Sequence, residues 1–132
     1  MIRVLLVVAL TIASFSSALA DQVSKTVAAN RKSQVYAHAV YQKQTCLSGP
    51  IPNMKVGKKP QNGKVSFQKT TFKLSKQAGY CAGKSIKGTL IYYTPNRNFR
   101  GSDRFTVGYS YEAYPGSSKR KYASTTYNIT VK

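Results

Sequence analysis

The sequence predicts an all-β fold: a small antiparallel β-sandwich of six or seven strands with one disulfide. Apolar and polar residues alternate with a period of two in several short segments, most regularly between Arg104 and Lys132. Turn-forming Gly, Pro and Asn-Gly separate these segments at intervals of roughly 8–15 residues, the spacing expected of strands in a small sandwich. Only two cysteines are present, Cys46 and Cys81, so at most one bridge can form.

The elements follow in order. Met1-Ile2-Arg3 is a short positive opening, Val4–Ala13 is apolar but for Thr11, and Ser14–Ala20 is small and polar, ending Ala18-Leu19-Ala20. That is the pattern of a secretory signal peptide over 1–20, cleaved before Asp21. A membrane anchor fits less well. A spanning helix needs about 20 predominantly apolar residues, and this stretch includes three serines and a threonine. The expected location is therefore periplasmic or secreted. Export favours a Cys46–Cys81 disulfide over two free thiols or half a metal site, since there is no C-x-x-C and only one His. The bridge would close a loop of about 35 residues and stabilise the fold by roughly 3–4 kcal/mol in the chain-entropy picture.

Residues 21–32 read as a flexible arm or a loose first strand, and 33–132 as a single domain. Gln34–Tyr41 alternates, placing Val35, Ala37, Ala39 and Tyr41 on one face. Cys46–Pro60 holds three Pro and two Gly and is mostly loop, with a short extended piece around Met54–Val56. Asn62-Gly63 marks a turn. Lys64–Leu74 is rich in strand formers but changes phase, from odd-numbered Val65 and Phe67 to even-numbered Phe72 and Leu74. A bulge or turn near Lys69–Thr71 would restore both sets to one face. Ser75–Lys84 reads as loop, and Thr89–Thr94 as a strand stopped by Pro95. In Arg104–Glu112, Phe105, Val107, Tyr109 and Tyr111 point one way and Arg104, Thr106, Ser110 and Glu112 the other. In Tyr122–Lys132, Thr125, Tyr127, Ile129 and Val131 point inward. Half-buried antiparallel strands have this pattern. Pro115–Lys121 is the polar hairpin loop between them.

The C-terminal half carries a resemblance. Pro60-Gln61-Asn62-Gly63-Lys64-Val65, then Gly88-Thr89-Leu90-Ile91-Tyr92-Tyr93-Thr94-Pro95, then Asn98-Phe99-Arg100-Gly101-Ser102-Asp103-Arg104-Phe105-Thr106-Val107 stand in this order. Together with the Thr/Val-rich strand Thr125–Val131, they resemble bacterial cadherin-like and immunoglobulin-like tandem domains over about residues 60–132. The resemblance implies an immunoglobulin-like extracellular sandwich used for structure or adhesion, with Gly63, Tyr93, Pro95, Phe99, Gly101, Asp103 and Phe105 as structural motif residues and no catalytic residues. This chain departs from those domains in being a single copy, in its Cys pair and in its basicity. Asp21, Asp103 and Glu112 are its only acids, too few and too scattered for a calcium cage.

Catalytic and metal chemistry find little to work with. His38 is the only His and has no acid near it in sequence. A triad or a zinc site needs an oriented partner or several ligands. Asp103 and Glu112 lie nine residues apart on one predicted strand, roughly 30 Å, too far for a glycosidase pair. No enzyme activity, cofactor or metal is expected. Asp103 suits a structural task, accepting hydrogen bonds from nearby backbone N–H groups at a corner.

Charge is the unusual feature. The chain has 132 residues with 21 Lys plus Arg against three acids, a net charge of +18. Its hydrophobic content of 42% separates it from a disordered polycation. Such a field attracts polyanions. The expectation is a non-enzymatic exported protein that binds an anionic envelope component (lipopolysaccharide, anionic polysaccharide or a similar polyanion). Its loops Lys55, Lys58, Lys59 and Lys119, Arg120, Lys121 would carry the contact, with Tyr114 and Tyr122 as aromatic neighbours. Nucleic acid enters only as a non-specific polyanion. The competing expectation is an accessory subunit that docks on another exported protein through a sheet edge, its charge incidental.

Overall fold

The computed structural model describes residues 21–113 and 116–132. The expected leader at 1–20, and Tyr114, lie outside the described residues. Seven strands follow in order: β1 (Asp21–Val27), β2 (Ser33–His38), β3 (Met54–Val56), β4 (Gly63–Lys73), β5 (Ser85–Pro95), β6 (Gly101–Glu112) and β7 (Arg120–Val131). They form a four-stranded sheet ordered β1-β7-β6-β3 and a three-stranded sheet ordered β2-β5-β4. The core lies between the sheets and draws Val27, Val35, Ile91, Tyr93, Phe105, Val107, Tyr127, Ile129 and Val131 from both. Phe105 stacks on Tyr127 with ring centroids 4.9 Å apart and on Tyr93 at 6.0 Å. These rings explain why the alternation in β6 and β7 is so regular. The inward positions Phe105, Val107, Tyr127, Ile129 and Val131 are apolar and buried, so a one-residue slip would expose the whole set.

Cys46 and Cys81 are bridged, with Cα atoms 5.5 Å apart. The Cys46–Cys81 span carries the chain from the β2–β3 connection to the end of a short 3-10 helix, Lys76–Cys81, where the sequence suggests only loop. That helix is kinked at Gly79, whose φ of 59° breaks its regular geometry.

Several local expectations are corrected. Of the two readings of residues 21–32, the first strand is the one that forms, and it is paired: β1 joins β7 in parallel over seven residues, from Asp21 opposite Thr125 to Val27 opposite Val131. One parallel pair therefore stands at the edge of an otherwise antiparallel fold. β2 stops at His38, and its register against β5 shifts between Gln34 and Tyr36. The shift leaves Val35 buried but turns Ala37 out to solvent, so the expected Val35, Ala37, Ala39, Tyr41 face does not form. β4 has no bulge at Lys69–Thr71. It pairs with β5 without interruption from Gly63 opposite Pro95 to Lys73 opposite Ser85. Its two apolar sets therefore face opposite sides of the sheet. Phe67 sits opposite Ile91 of the main core, whereas Phe72 sits opposite Ile86, which is 1% exposed yet lies outside that core. β5 is correspondingly longer than Thr89–Thr94. Gly88 does not end it; a Cβ there would collide with the Phe72 ring and the His38 carbonyl oxygen. Finally, Tyr111 shares the inward parity of Phe105 but lies past the end of the core and is 40% exposed.

The motif residues meet at one corner. The Asp103 carboxylate accepts the backbone N–H groups of Gln61 and Asn62, both at 3.0 Å, and that of Arg104 at 2.9 Å. It also accepts the Tyr93 hydroxyl at 2.7 Å. Burial, then the hydrogen bond to Asp103, push the Tyr93 phenol well above its ordinary range, so it stays a donor. Gly63 packs under the Tyr93 ring, and Phe99 lies against Gly101, whose φ is 133°. The Asp103 carboxylate thus ties the β3–β4 connection, which crosses between sheets, to β6 and β5.

Candidate functional site

Strand pairing decides which of the candidate cations share a surface. Paired residues lie on the same side of a sheet, and side chains alternate along each strand. Met54 packs on the core, so Lys55 points outward from β3, opposite Gly108 of β6. Gly108 is opposite Ser124, Ser110 is opposite Tyr122, and Glu112 is opposite Arg120. Lower on the same face, Arg104 is opposite Asn128, which in turn is opposite Ser24 of β1. Lys55, Arg104, Arg120 and Tyr122 therefore share the outer face of the four-stranded sheet.

The Lys58–Lys59 segment joins that face through its backbone. The Lys58 N–H donates to Thr106 Oγ1 at 2.7 Å, and the Thr106 N–H donates to the Lys58 carbonyl at 3.0 Å. Lys58, Lys59 and Arg104 then border a shallow depression of about 490 Å³, whose lining also includes Ser24, Ser102, Asp103 and Asn128. One bond holds the guanidinium, Arg104 Nε donating to Asn128 Oδ1 at 2.8 Å, and Asn128 is itself held by Nδ2 donating to Gln22 Oε1 at 3.2 Å. At the other end, Arg120 donates to the Ser110 carbonyl and hydroxyl, each at 3.0 Å.

The face is short of acid. Asp103 is turned inward and engaged by its four donors. Glu112 points outward, but its carboxylate accepts the Gly116 N–H at 2.9 Å. The basic triplet of the hairpin does not share one face. Lys121 is opposite Tyr111 and so faces away from Arg120, while Lys119 sits at the hairpin end, with its N–H on Ser117 Oγ. Arg104 is the residue that the sequence reading leaves out of the site. Its place among the even-numbered outward residues of β6 is visible in the alternation, but its neighbours on β1 and β3 come only from the fold.

A second concavity opens at one end of the sandwich. It measures about 460 Å³ and is lined by Asp21, Tyr36, His38, Met54, Tyr109 and Tyr127 among others. His38 packs on Tyr109 with ring centroids 4.7 Å apart, and its buried Nε2 has no hydrogen-bond partner among the described residues. It meets neither Asp103 nor Glu112. Burial holds the imidazole below its ordinary pKa of 6.5. The unfolded chain takes up this proton at about 6.5, and the folded chain only at lower pH. The resulting stability is therefore complete above about pH 6.5 and is lost as pH falls toward the folded value. Urea midpoints at pH 7.5 and 5.5 are expected to fall for the native protein and to change less for His38→Phe. An equal fall in both would remove His38 from the account.

No group of three or more His, Cys, Asp or Glu able to hold a metal is found among the described residues, and no helix there is long and apolar enough to cross a membrane. Comparison of the chain with protein-family models, curated proteins and solved structures found no match.

Proposed function

We propose that this is an exported, non-enzymatic binding protein of the bacterial envelope, and that the outer face of its four-stranded sheet binds an anionic envelope polymer. The observation that carries the reading is the register that gathers Lys55, Arg104 and Arg120 on one face beside Lys58 and Lys59. Glu112 points out at the end of that face and is engaged by a backbone N–H, and Asp103, which lines the depression, is held by four donors. An anionic chain laid across it would meet fixed guanidinium groups and mobile ammonium groups in turn. Export accords with the Cys46–Cys81 bridge, which persists in oxidising compartments, and with the leader pattern at 1–20. The cadherin-like or immunoglobulin-like kinship belongs to the same proposal. Its support is that Asn62, Gly63, Tyr93 and Asp103, drawn from three separate motif segments, meet at one hydrogen-bonded corner.

The test is a charge-matched pair of triple variants, with binding to lipopolysaccharide and to heparin followed against salt. Lys55→Gln, Lys58→Gln and Lys59→Gln together are expected to weaken binding about tenfold or more at low salt and to flatten the salt dependence. Lys64→Gln, Lys69→Gln and Lys73→Gln on β4, in the other sheet, are expected to change it less than threefold, on the order of a diffuse field. Equal losses would mean that no face is preferred. Binding to an envelope protein that survives high salt would instead favour the free outer edge of β4.

A further inference from the structure

The same face carries a feature that charge alone does not explain. Tyr122 is 70% exposed, the second most exposed of the large apolar side chains after Tyr80. It nonetheless lies down on the sheet instead of standing away from it. Its backbone is opposite Ser110, but its hydroxyl end reaches diagonally to Gly108, where a Cβ would coincide with Tyr122 Oη. Gly108 is the only residue type that leaves this space empty. The ring is thus anchored at its hydroxyl end over Gly108 of β6, and most of its surface is open to solvent. Lys55 is on the strand beyond Gly108, and Arg120, held by Ser110, lies two residues before Tyr122 on the same face.

We propose that Tyr122 is a stacking platform for a sugar ring, and that the anionic polymer bound by this face is an acidic polysaccharide. This rests on the function proposed above. A flat ring seated between two cations matches a pyranose whose apolar side covers the ring while its charged substituents reach Lys55 and Arg120. Beside them the outward groups include the hydroxyls of Ser124 and Thr126, suited to sugar hydroxyls. Single-stranded nucleic acid is recognised by successive aromatic residues along a groove, whereas Tyr122 is the one aromatic ring on this face among the described residues.

The test uses the full mature chain and three probes: heparin, long-chain inorganic polyphosphate as a polyanion without rings, and a thymidine oligonucleotide. Tyr122→Ala is expected to weaken heparin about five- to tenfold, the lower end of what stacking on an aromatic contributes, and to leave polyphosphate unchanged. Tyr122→Phe should retain heparin binding. Gly108→Ala, which displaces the ring without removing it, should follow Tyr122→Ala. The Lys55, Lys58, Lys59 triple variant should weaken both polyanions. If Tyr122→Ala alters heparin and polyphosphate equally, or neither, the platform is overturned while the cationic face stands. If the oligonucleotide shows the larger dependence on Tyr122, the ligand is not a polysaccharide. If the native protein retains none of the three probes, the proposed function itself fails.

Discussion

Asp103→Ala is expected to lower the stability of the domain by about 3–5 kcal/mol, among the largest effects of any single substitution outside the disulfide. The substitution removes one buried carboxylate and leaves three donors without an acceptor, the N–H groups of Gln61, Asn62 and Arg104, while the hydroxyl of Tyr93 keeps only the Asn62 carbonyl at 3.3 Å. Each buried donor left without an acceptor costs on the order of 1–3 kcal/mol, partly recovered where water can enter. Tyr93→Phe removes one of the four bonds and leaves the carboxylate its three backbone donors, so it should cost only about 1–2 kcal/mol. Asp103→Asn keeps one acceptor oxygen and should fall between the two. Urea unfolding of the three variants checks the order. A loss below about 1 kcal/mol for Asp103→Ala would mean that the corner is held by packing of Tyr93 and Phe105 alone.

Removing the disulfide should have an effect of similar size by a different route. The bridge joins residues 35 apart in sequence, and in the chain-entropy picture closing such a loop is worth roughly 3–4 kcal/mol. It acts mainly on the unfolded chain. Cys46→Ser with Cys81→Ser should therefore lower the melting temperature by about 12–30 °C, taking 4–8 °C per kcal/mol for a domain of this size. The strand content of the folded domain should be unchanged. Far-ultraviolet circular dichroism and thermal melts of the double variant check both statements. A shift under about 5 °C would show that the β2–β3 connection is held down without the bridge, for example by the Lys87 N–H to Ser48 Oγ bond.

What the sequence made legible follows from how local each determinant is. β6 and β7 are neighbours in sequence and in space, and each has one dry side. Their alternation alone therefore identifies Phe105, Val107, Tyr127, Ile129 and Val131 as core. The cysteine pairing was readable because only one pairing exists. β1 was ambiguous for the opposite reason. Its partner is β7, about a hundred residues away, and no local pattern reports a parallel pairing across that distance. In β4, the shift from Phe67 to Phe72 resembles a bulge because a strand is assumed to have one buried side; here both sides are covered at different heights. The site behaves likewise. Lys55, Lys58 and Lys59 were visible as a basic loop. Arg104 was not chosen, because its proximity to Lys58 arises from the β3–β6 pairing and from the clamp between Lys58 and Thr106. The hairpin triplet is contiguous in sequence but not on one face, since adjacent residues on a strand face opposite ways and Lys121 turns from Arg120.

The measurement that tests the account most directly is a backbone amide nuclear magnetic resonance titration of the mature chain with a heparin oligosaccharide at low salt. The expected result is a contiguous set of shifted amides on β3, β6 and β7, centred on Lys55, Lys58, Arg104 and Tyr122, with β4 and the β5 segment opposite it unmoved. Shifts spread evenly over the lysines of both sheets, or concentrated along Lys64–Lys73, would contradict it.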